Sequence, residues 1–522
     1  MLARDDAPFY NDTGYPMPQV NPAPLLSEAP ALLRLDPRDD VAVALREIDR
    51  GETIDVAGDG RVLVSEPIPR GHKIALADRG AGAEIVKFGA SIGRLIRPVA
   101  AGAHVHVHNL ETGLAGTLSY RYAPADLQPL PADRAARFMG YRRADGRVGT
   151  RNEIWVLPTV GCVARSAERI AAIAHARHAG AVDGVFAFRH PYGCSQLGED
   201  LEATRAILAA LACHPNAGGV LLIGLGCESN QLDALVAAIP EPLRARVRTL
   251  KAQDAEDEVE AGLAAVDALV ARAALARRQP AALSDLVLGL KCGGSDGLSG
   301  LTANPLVGRM CDLVVGSGGS ALLSEIPEMF GAEHLLMNRA RNRETFDRIV
   351  GLVNDFKRYF LGHGQPVSEN PSPGNIEGGI TTLEEKSLGA VQKAGTAPVA
   401  DVLRYGERLR RQGLSLVEAP GNDAVSSTAL AAAGATLILF TTGRGTPLGF
   451  AAPTIKIASN QPLAARKPGW IDFDASAVLG QGFDGVADTL AEQLIAFASG
   501  APTAAERNGE RELAIWKRGV TL

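Results

Sequence analysis

From Val41 the chain alternates apolar and polar positions in short stretches: VAVAL (41–45), TIDV (53–56), RVLV (61–64), KIAL (73–76), AEIVKF (83–88) and HVHVHNL (104–110). A period of two places one face of each stretch against a core and predicts strands. Glycine or proline stands in the connections, so residues 39–115 read as a small all-β module. The preceding residues 1–38 lack periodicity and are expected to form a loosely attached extension. YRYAPADLQPLPADRAA, with three prolines, marks residues 116–140 as a linker.

Beyond Tyr141 the period changes. EIWVLPTV (153–160) reads as a buried strand, and the helix after it places Ala167, Ile170, Ala171 and Ala174 on one face. DGVFAF (183–188) and GGVLLIGLG (218–226) are further strands, separated by a helix with Leu201, Leu208 and Leu211 on one side. A helix near Gln231–Ala238 and helical segments around 256–277 complete an α/β domain over 141–280. Strand–helix alternation implies a parallel sheet covered by helices. DLVLGL (285–290) opens a larger α/β domain, 281–522, in which DLVVG (312–316) and ATLILFTT (435–442) are expected strands among long polar loops. The fold class is therefore α/β behind an N-terminal all-β module.

Composition adds exclusions. The 522 residues carry a net charge of −6, which gives no reason to expect nucleic acid or anionic membranes as partners. No stretch approaches the roughly 18 apolar residues that span a bilayer. The N-terminus has no apolar segment behind a basic start, and six cysteines are too few for a disulfide framework. A cytoplasmic protein with free or metal-bound thiols is the expectation, with a homo-oligomer left open.

Four cysteines stand beside glycine just after a strand: Cys162, Cys194, Cys227 and Cys292. Ligands of open parallel sheets bind at the carboxyl ends of strands, so these loops are candidates for one crevice. Thiolates are soft ligands suited to iron, zinc or iron–sulfur clusters; the alternative is that each is a small buried hydrophobe. Cys213 and Cys311 lack the pattern and are assigned to packing. GLGC (224–227) starts like a dinucleotide fingerprint, but Ser229 stands where the third glycine belongs, so nicotinamide binding is not expected.

His104, His106 and His108 share one face of a strand if the alternation holds, and a row of imidazoles binds a metal or an anion. A solvated polar face is the alternative. His190, four residues before Cys194, is placed to join the cysteine crevice. The loops 291–305, 369–387, 420–427 and 441–449 are glycine-rich and polar. Arg444 or Lys386 could fix a carboxylate there, and Ser295, Asp296, Thr302, Asn304, Asn375 and Asp423 could bind hydroxyls, each alternatively a turn residue.

The ordered segments GHKIAL, HVHVHN, GRVGTRNEIWVLPTVGC, HPYGCSQLGEDLEATR, GLGCE, CGGSDGLSGLTANP, ENPSPGN, GGITTLEEKSLG, APGNDAV and TTGRGTPLG resemble the altronate dehydratase family, which includes galactarate dehydratases. The likeness runs from about residue 39 to the C-terminus. It implies that the β module is an SAF (β-clip) domain and that the chain removes water from a sugar acid, with ferrous iron (or manganese) as cofactor. HVHVHN, RYGERL and IDFDA resemble altronate more than galactarate dehydratases; galactarate or another sugar acid is the alternative substrate. In a related branch, the sulfolactate sulfo-lyases, the SAF module is not fused.

Such a dehydration needs a base at C2 and a Lewis acid at the carboxylate and the C3 hydroxyl. Candidate bases are His190, Lys386 and the 104–108 histidines; candidate metal ligands are Cys162, Cys194, Cys227 and Cys292. Four thiols favour an iron–sulfur cluster, whereas the family's ferrous dependence favours a single ion. A non-catalytic sugar-acid binding protein is the rival from another class.

Overall fold

Alternation becomes antiparallel pairing at the start of the chain. In this computed structural model, which describes residues 30–56 and 60–521, the strands Leu32–Leu33, Val41–Ala44, Lys73–Ala75 and His104–Val105 form one sheet. Glu84–Lys87, Ala90–Leu95 and Leu110–Glu111 form another, and Thr53–Val56 pairs with Gly60–Leu63. Of the expected extension, residues 1–29 lie outside the described residues. Leu32 belongs to the module and is buried with Ile54, Val62 and Ile74.

The histidine run is not one strand. His104–Val105 pairs with Lys73–Ile74, and the chain then turns. Asn109 is the cause: its Oδ1 accepts from the His106 amide at 2.9 Å and its Nδ2 donates to the His104 carbonyl at 2.8 Å. An asparagine side chain that substitutes for backbone in this way closes a turn.

Past the proline-bearing segment, Arg137–Arg142 pairs with both Val148–Gly149 and Gln279–Ala282, a ribbon beside the second α/β unit. That unit has a four-stranded parallel sheet in the spatial order Gly184–Ala187, Glu153–Pro158, Ala217–Gly224, Val247–Lys251. The third unit has seven parallel strands ordered Val399–Leu403, Gly413–Val417, Ser320–Leu323, Val287–Cys292, Leu437–Thr442, Thr454–Ala458, Phe473–Asp474. Its central strands are buried at nearly every position, as expected where helices cover both faces. The fold is thus α/β behind a strand-rich module.

One expected strand is a helix. DLVVG ends the helix Ala303–Gly316, which buries Leu306, Val307, Met310, Cys311 and Val314 at helical spacing. The β-branched pair Val314–Val315 reads locally as strand, but the packing face begins eleven residues earlier and outweighs local propensity.

Buried ion pairs join the units. Arg151 of the second grips Glu506 of the third through two bonds of 2.8 and 2.9 Å. Lys73 and Lys87 of the module both meet Glu385, at 2.8 and 2.7 Å, with all three side chains at most 2% exposed. Burial opposes ionisation of Glu385, but Lys73 and Lys87 overcome it and hold its carboxyl down to about 2. Burial brings Lys73 down to about 8 despite that carboxylate, so it stays charged at neutral pH.

Removing one member of such a group strands the others, at a cost of about 3–5 kcal/mol. Glu385→Gln is therefore expected to lose that much stability in urea unfolding at pH 7. A depressed carboxyl stabilises above its unfolded value near 4.5, and the contribution disappears as pH falls toward about 2. The wild-type advantage over Glu385→Gln should shrink across that window.

Candidate functional site

Lys73, fixed to Glu385, also donates to the Gly379 carbonyl and to Thr381 Oγ1, each at 2.8 Å. The neighbouring residue His72 is thereby seated on the loop before the helix Leu383–Ala390. Its Nε2 donates to the Glu377 carbonyl at 3.2 Å, which turns Nδ1 toward His104 Nε2, 3.0 Å away. His106 stands against both rings, with centroids 4.9 and 5.3 Å away, and its Nδ1 meets Thr381 Oγ1 at 3.0 Å. His108 is exposed and its ring centroid lies 5.3 Å from that of His104.

One ligand atom each of His72, His104 and His106 lies within 4.8 Å of the other two. Burial first, then the neighbouring imidazoles, lowers His104 to about 3. Burial and the Lys73 charge lower His106 to about 4, and burial also lowers His72. Three neutral imidazoles therefore face one another at neutral pH.

Arg70 precedes His72 by two residues. Its Nε is buried and unpaired among the described residues, and it senses the charges of Asp296 and Asp474. Arg444 lies on a neighbouring loop, bound to Glu377 at 2.7 Å.

A second polar cluster lies at the end of the strand Val287–Cys292. Cys292, at the end of its strand, is fully buried; its Sγ receives a bond from Lys393 Nζ at 2.8 Å and lies 3.3 Å from Glu328. Lys291 contacts Glu325 and, at 2.8 Å, Asp423; Lys393 meets Glu325 at 2.9 Å. Burial pushes the Cys292 thiol up to about 12, and Glu325 adds to the effect. Burial disfavours the ammonium of Lys291, but Glu325 and Asp423 hold it charged. Glu325 sits at φ 66°, a left-handed backbone that costs a non-glycine residue about 1–3 kcal/mol.

The structure distributes the sequence candidates between supporting and open positions. Lys386 donates to Glu328, Asn370 and Asn375 at 2.8, 2.9 and 3.2 Å, so every ammonium proton has a partner. Asn375 also donates to the Ser295 carbonyl at 2.8 Å. Thr302 bonds two carbonyls, and Asn304 links Gly389 to Thr441; both are buried supports. Asp296 accepts from Ser299, Ser459 and Asn460, while Asp423 keeps a partly exposed carboxylate.

His190 is 4% exposed, with Nε2 on the Pro158 carbonyl at 2.8 Å and Nδ1 accepting from the Tyr192 amide at 3.2 Å. Both nitrogens are committed to backbone, so the ring shapes its loop. Cys162, Cys194 and Cys227 are exposed at the ends of neighbouring strands of the four-stranded sheet. Cys292 belongs to the seven-stranded sheet, so the expected single crevice of four thiols does not form.

Models of the altronate/galactarate dehydratase SAF domain, the D-galactarate dehydratase/altronate hydrolase second domain and the D-galactarate/altronate dehydratase C-terminal domain match residues 30–113, 140–274 and 283–521. The chain belongs to the altronate/galactarate dehydratase family. Dehydratases are hydro-lyases, so this is a family of carbon–oxygen lyases. The chain is 50% identical over 494 residues to an altronate dehydratase of Escherichia coli, covering 94% of this chain and 99% of that one. It is 48% identical to an altronate dehydratase of Bacillus subtilis, covering 94% and 100%. A galactarate dehydratase (L-threo-forming) of E. coli is 34% identical, covering 80% and 83%. No helix among the described residues is long and apolar enough to cross a membrane.

For a dehydratase of this family the histidine group fits a divalent metal. Neutral imidazole is the ligating form, and the contacts to the Glu377 carbonyl and Thr381 Oγ1 orient rings as outer partners of metal-bound histidines do. Cys292, Glu325 and Glu328 are also within 4.8 Å of one another, but Lys291, Lys386 and Lys393 already neutralise them. Sequence pattern does not mark His72, Arg70 or the lysine–glutamate pairs as functional. For His72 a partial signal exists: it lies within the family-like segment GHKIAL, but 32 residues from His104.

Anaerobic titration with Mn2+ should show one site that His104→Ala abolishes and Cys292→Ser keeps. Thr381→Val should weaken it roughly 10–100-fold by freeing the His106 ring. Undiminished uptake by His104→Ala would place the metal elsewhere.

Proposed function

We propose that the chain dehydrates D-altronate to 2-dehydro-3-deoxy-D-gluconate. One observation carries the reading: near-complete coverage, at 50% and 48% identity, of two altronate dehydratases. The lower identity to the galactarate enzyme favours altronate over galactarate.

The chemistry asks for few parts. A proton leaves C2, hydroxide leaves C3, and the resulting enol tautomerises to the 2-oxo acid. A ferrous (or manganous) ion held by His72, His104 and His106 would supply Lewis acidity for the carboxylate and the leaving hydroxyl. Arg70, with its buried unpaired Nε, and Arg444 bind the substrate carboxylate. Asp423, whose carboxylate is partly exposed, accepts from a hydroxyl, and Asp296 holds its loop through Ser299, Ser459 and Asn460.

His108, exposed beside the row, takes the C2 proton; His190 and Lys386 do not, since their nitrogens are already engaged. Lys386 instead positions the loop through Asn370 and Asn375. Buried protein surrounds the module–loop junction on the Lys73 side and restricts water there.

An anaerobic screen of hexonates and hexarates with added iron, read by 2-oxo acid release, tests the reading. Altronate is expected to be the best substrate. Faster turnover of galactarate would reassign the substrate, and ligand binding with no 2-oxo product would make the chain a sugar-acid binding protein. His108→Gln should lower kcat about 10²–10⁴-fold, the usual worth of a general base, with a smaller change in KM. Arg70→Met should mainly raise KM.

A further inference from the structure

Three thiols remain outside the site just described. Cys162, Cys194 and Cys227 follow the strands Glu153–Pro158, Gly184–Ala187 and Ala217–Gly224, which are adjacent and parallel. Neighbouring strands lie about 4.8 Å apart, so the three loops leave one edge of one sheet side by side. They are also bonded to one another. The Gly161 amide donates to the Tyr192 carbonyl, and the Asn230 amide to the Gly193 carbonyl, at 2.9 and 3.0 Å. Asn230 Nδ2 donates to the Thr159 carbonyl at 3.1 Å.

All three thiols are exposed, whereas Cys213, Cys292 and Cys311 are buried. The exposed sulfurs have almost nothing to bond. Cys194 has Ser195 Oγ at 3.7 Å and Cys227 has Gln253 Nε2 at 3.7 Å, while Cys162 has no hydrogen-bonding partner among the described residues. The surrounding backbone is unusual. Ser195 takes φ 53°, and Gly193 and Gly226 take 100° and 132°. A Cβ at Gly193 would fall 2.1 Å from the Thr159 carbonyl oxygen, so the close approach of these loops requires glycine.

Two further observations point to a ligand. Asn230 is fully buried in this loop cluster and its Oδ1 has no partner, a cost of about 1–3 kcal/mol if it stays so. The long helices Ala164–Arg177 and Gly198–Ala212 begin just after Cys162 and Cys194, bringing two positive helix ends to the same edge.

We infer that Cys162, Cys194 and Cys227 hold an iron–sulfur cluster of the four-iron type, with the fourth iron lacking a protein thiolate. Among the described residues these sulfurs do not form a group within 4.8 Å of one another, whereas three thiolates on one ion must crowd together. In a cubane each thiolate binds a different iron, so wider spacing is required. A two-iron cluster needs four ligands, and Cys292, in the other sheet, cannot supply the fourth. The cluster is anionic, which the two helix ends favour.

The test uses the full chain, purified anaerobically and reconstituted with ferrous iron and sulfide. Expected are roughly four irons per chain beyond the Mn2+-competable site, a broad visible absorption and bleaching in air. Cys162→Ser, Cys194→Ser and Cys227→Ser should each lose most of the colour while keeping the wild-type circular dichroism. Cys213→Ser, if it folds, and Cys292→Ser should keep the colour. A colourless reconstituted protein, or colour retained by the triple serine variant, would overturn the inference. Altronate turnover by reconstituted protein that stays colourless would sink the cluster and leave the dehydratase reading standing.

Discussion

One carboxylate, Glu385, determines where the module sits. It is buried between Lys73 and Lys87, and charges removed from water are tolerable only when each has a close partner. Two of the three groups come from the β module and the third from a helix of the last unit. Module and loop can therefore pair these charges only in one register. That register places His72, one residue before Lys73, against the Glu377 carbonyl, and sets Thr381 beneath His106. The imidazole group depends on the ion triad beside it.

The last unit then divides its work by layer. The seven-stranded sheet is a dry support whose strand ends carry Cys292, Asp423 and the 441–449 loop to one side. Lys291, Lys386 and Lys393 neutralise Glu325 and Glu328 beneath that surface. Such a network costs desolvation but holds loops rigidly, because no member can leave without stranding another. The module contributes the rings and Arg70.

Much of this architecture is legible in the chain's own pattern. The period-two stretch at 53–56 and the buried runs at 153–158 and 437–442 are strands because their patterns match the burial they receive. Polar glycine-rich loops do gather at one edge. Two local patterns mislead. Val314 and Val315 have strand propensity but serve a helix whose face starts at Ala303. The alternation from His104 to His108 is broken by the bonds that Asn109 accepts from the His106 amide and donates to the His104 carbonyl.

By itself, then, the sequence determined the order of the three units, the parallel α/β character of the last two and the family, since periodicity and long ordered motifs are local or contiguous information. Only the tertiary structure decided which chemistry meets which. His190 and Lys386 are engaged by partners 32 and 58 residues away, and Cys292 is parted from the other three glycine-flanked thiols by belonging to another sheet. Lys73 and Lys87 find Glu385 about three hundred residues on. The physical reason is that a buried charge or a free ring nitrogen is defined by its whole surroundings, and contacts across such separations leave no spacing in the chain to read.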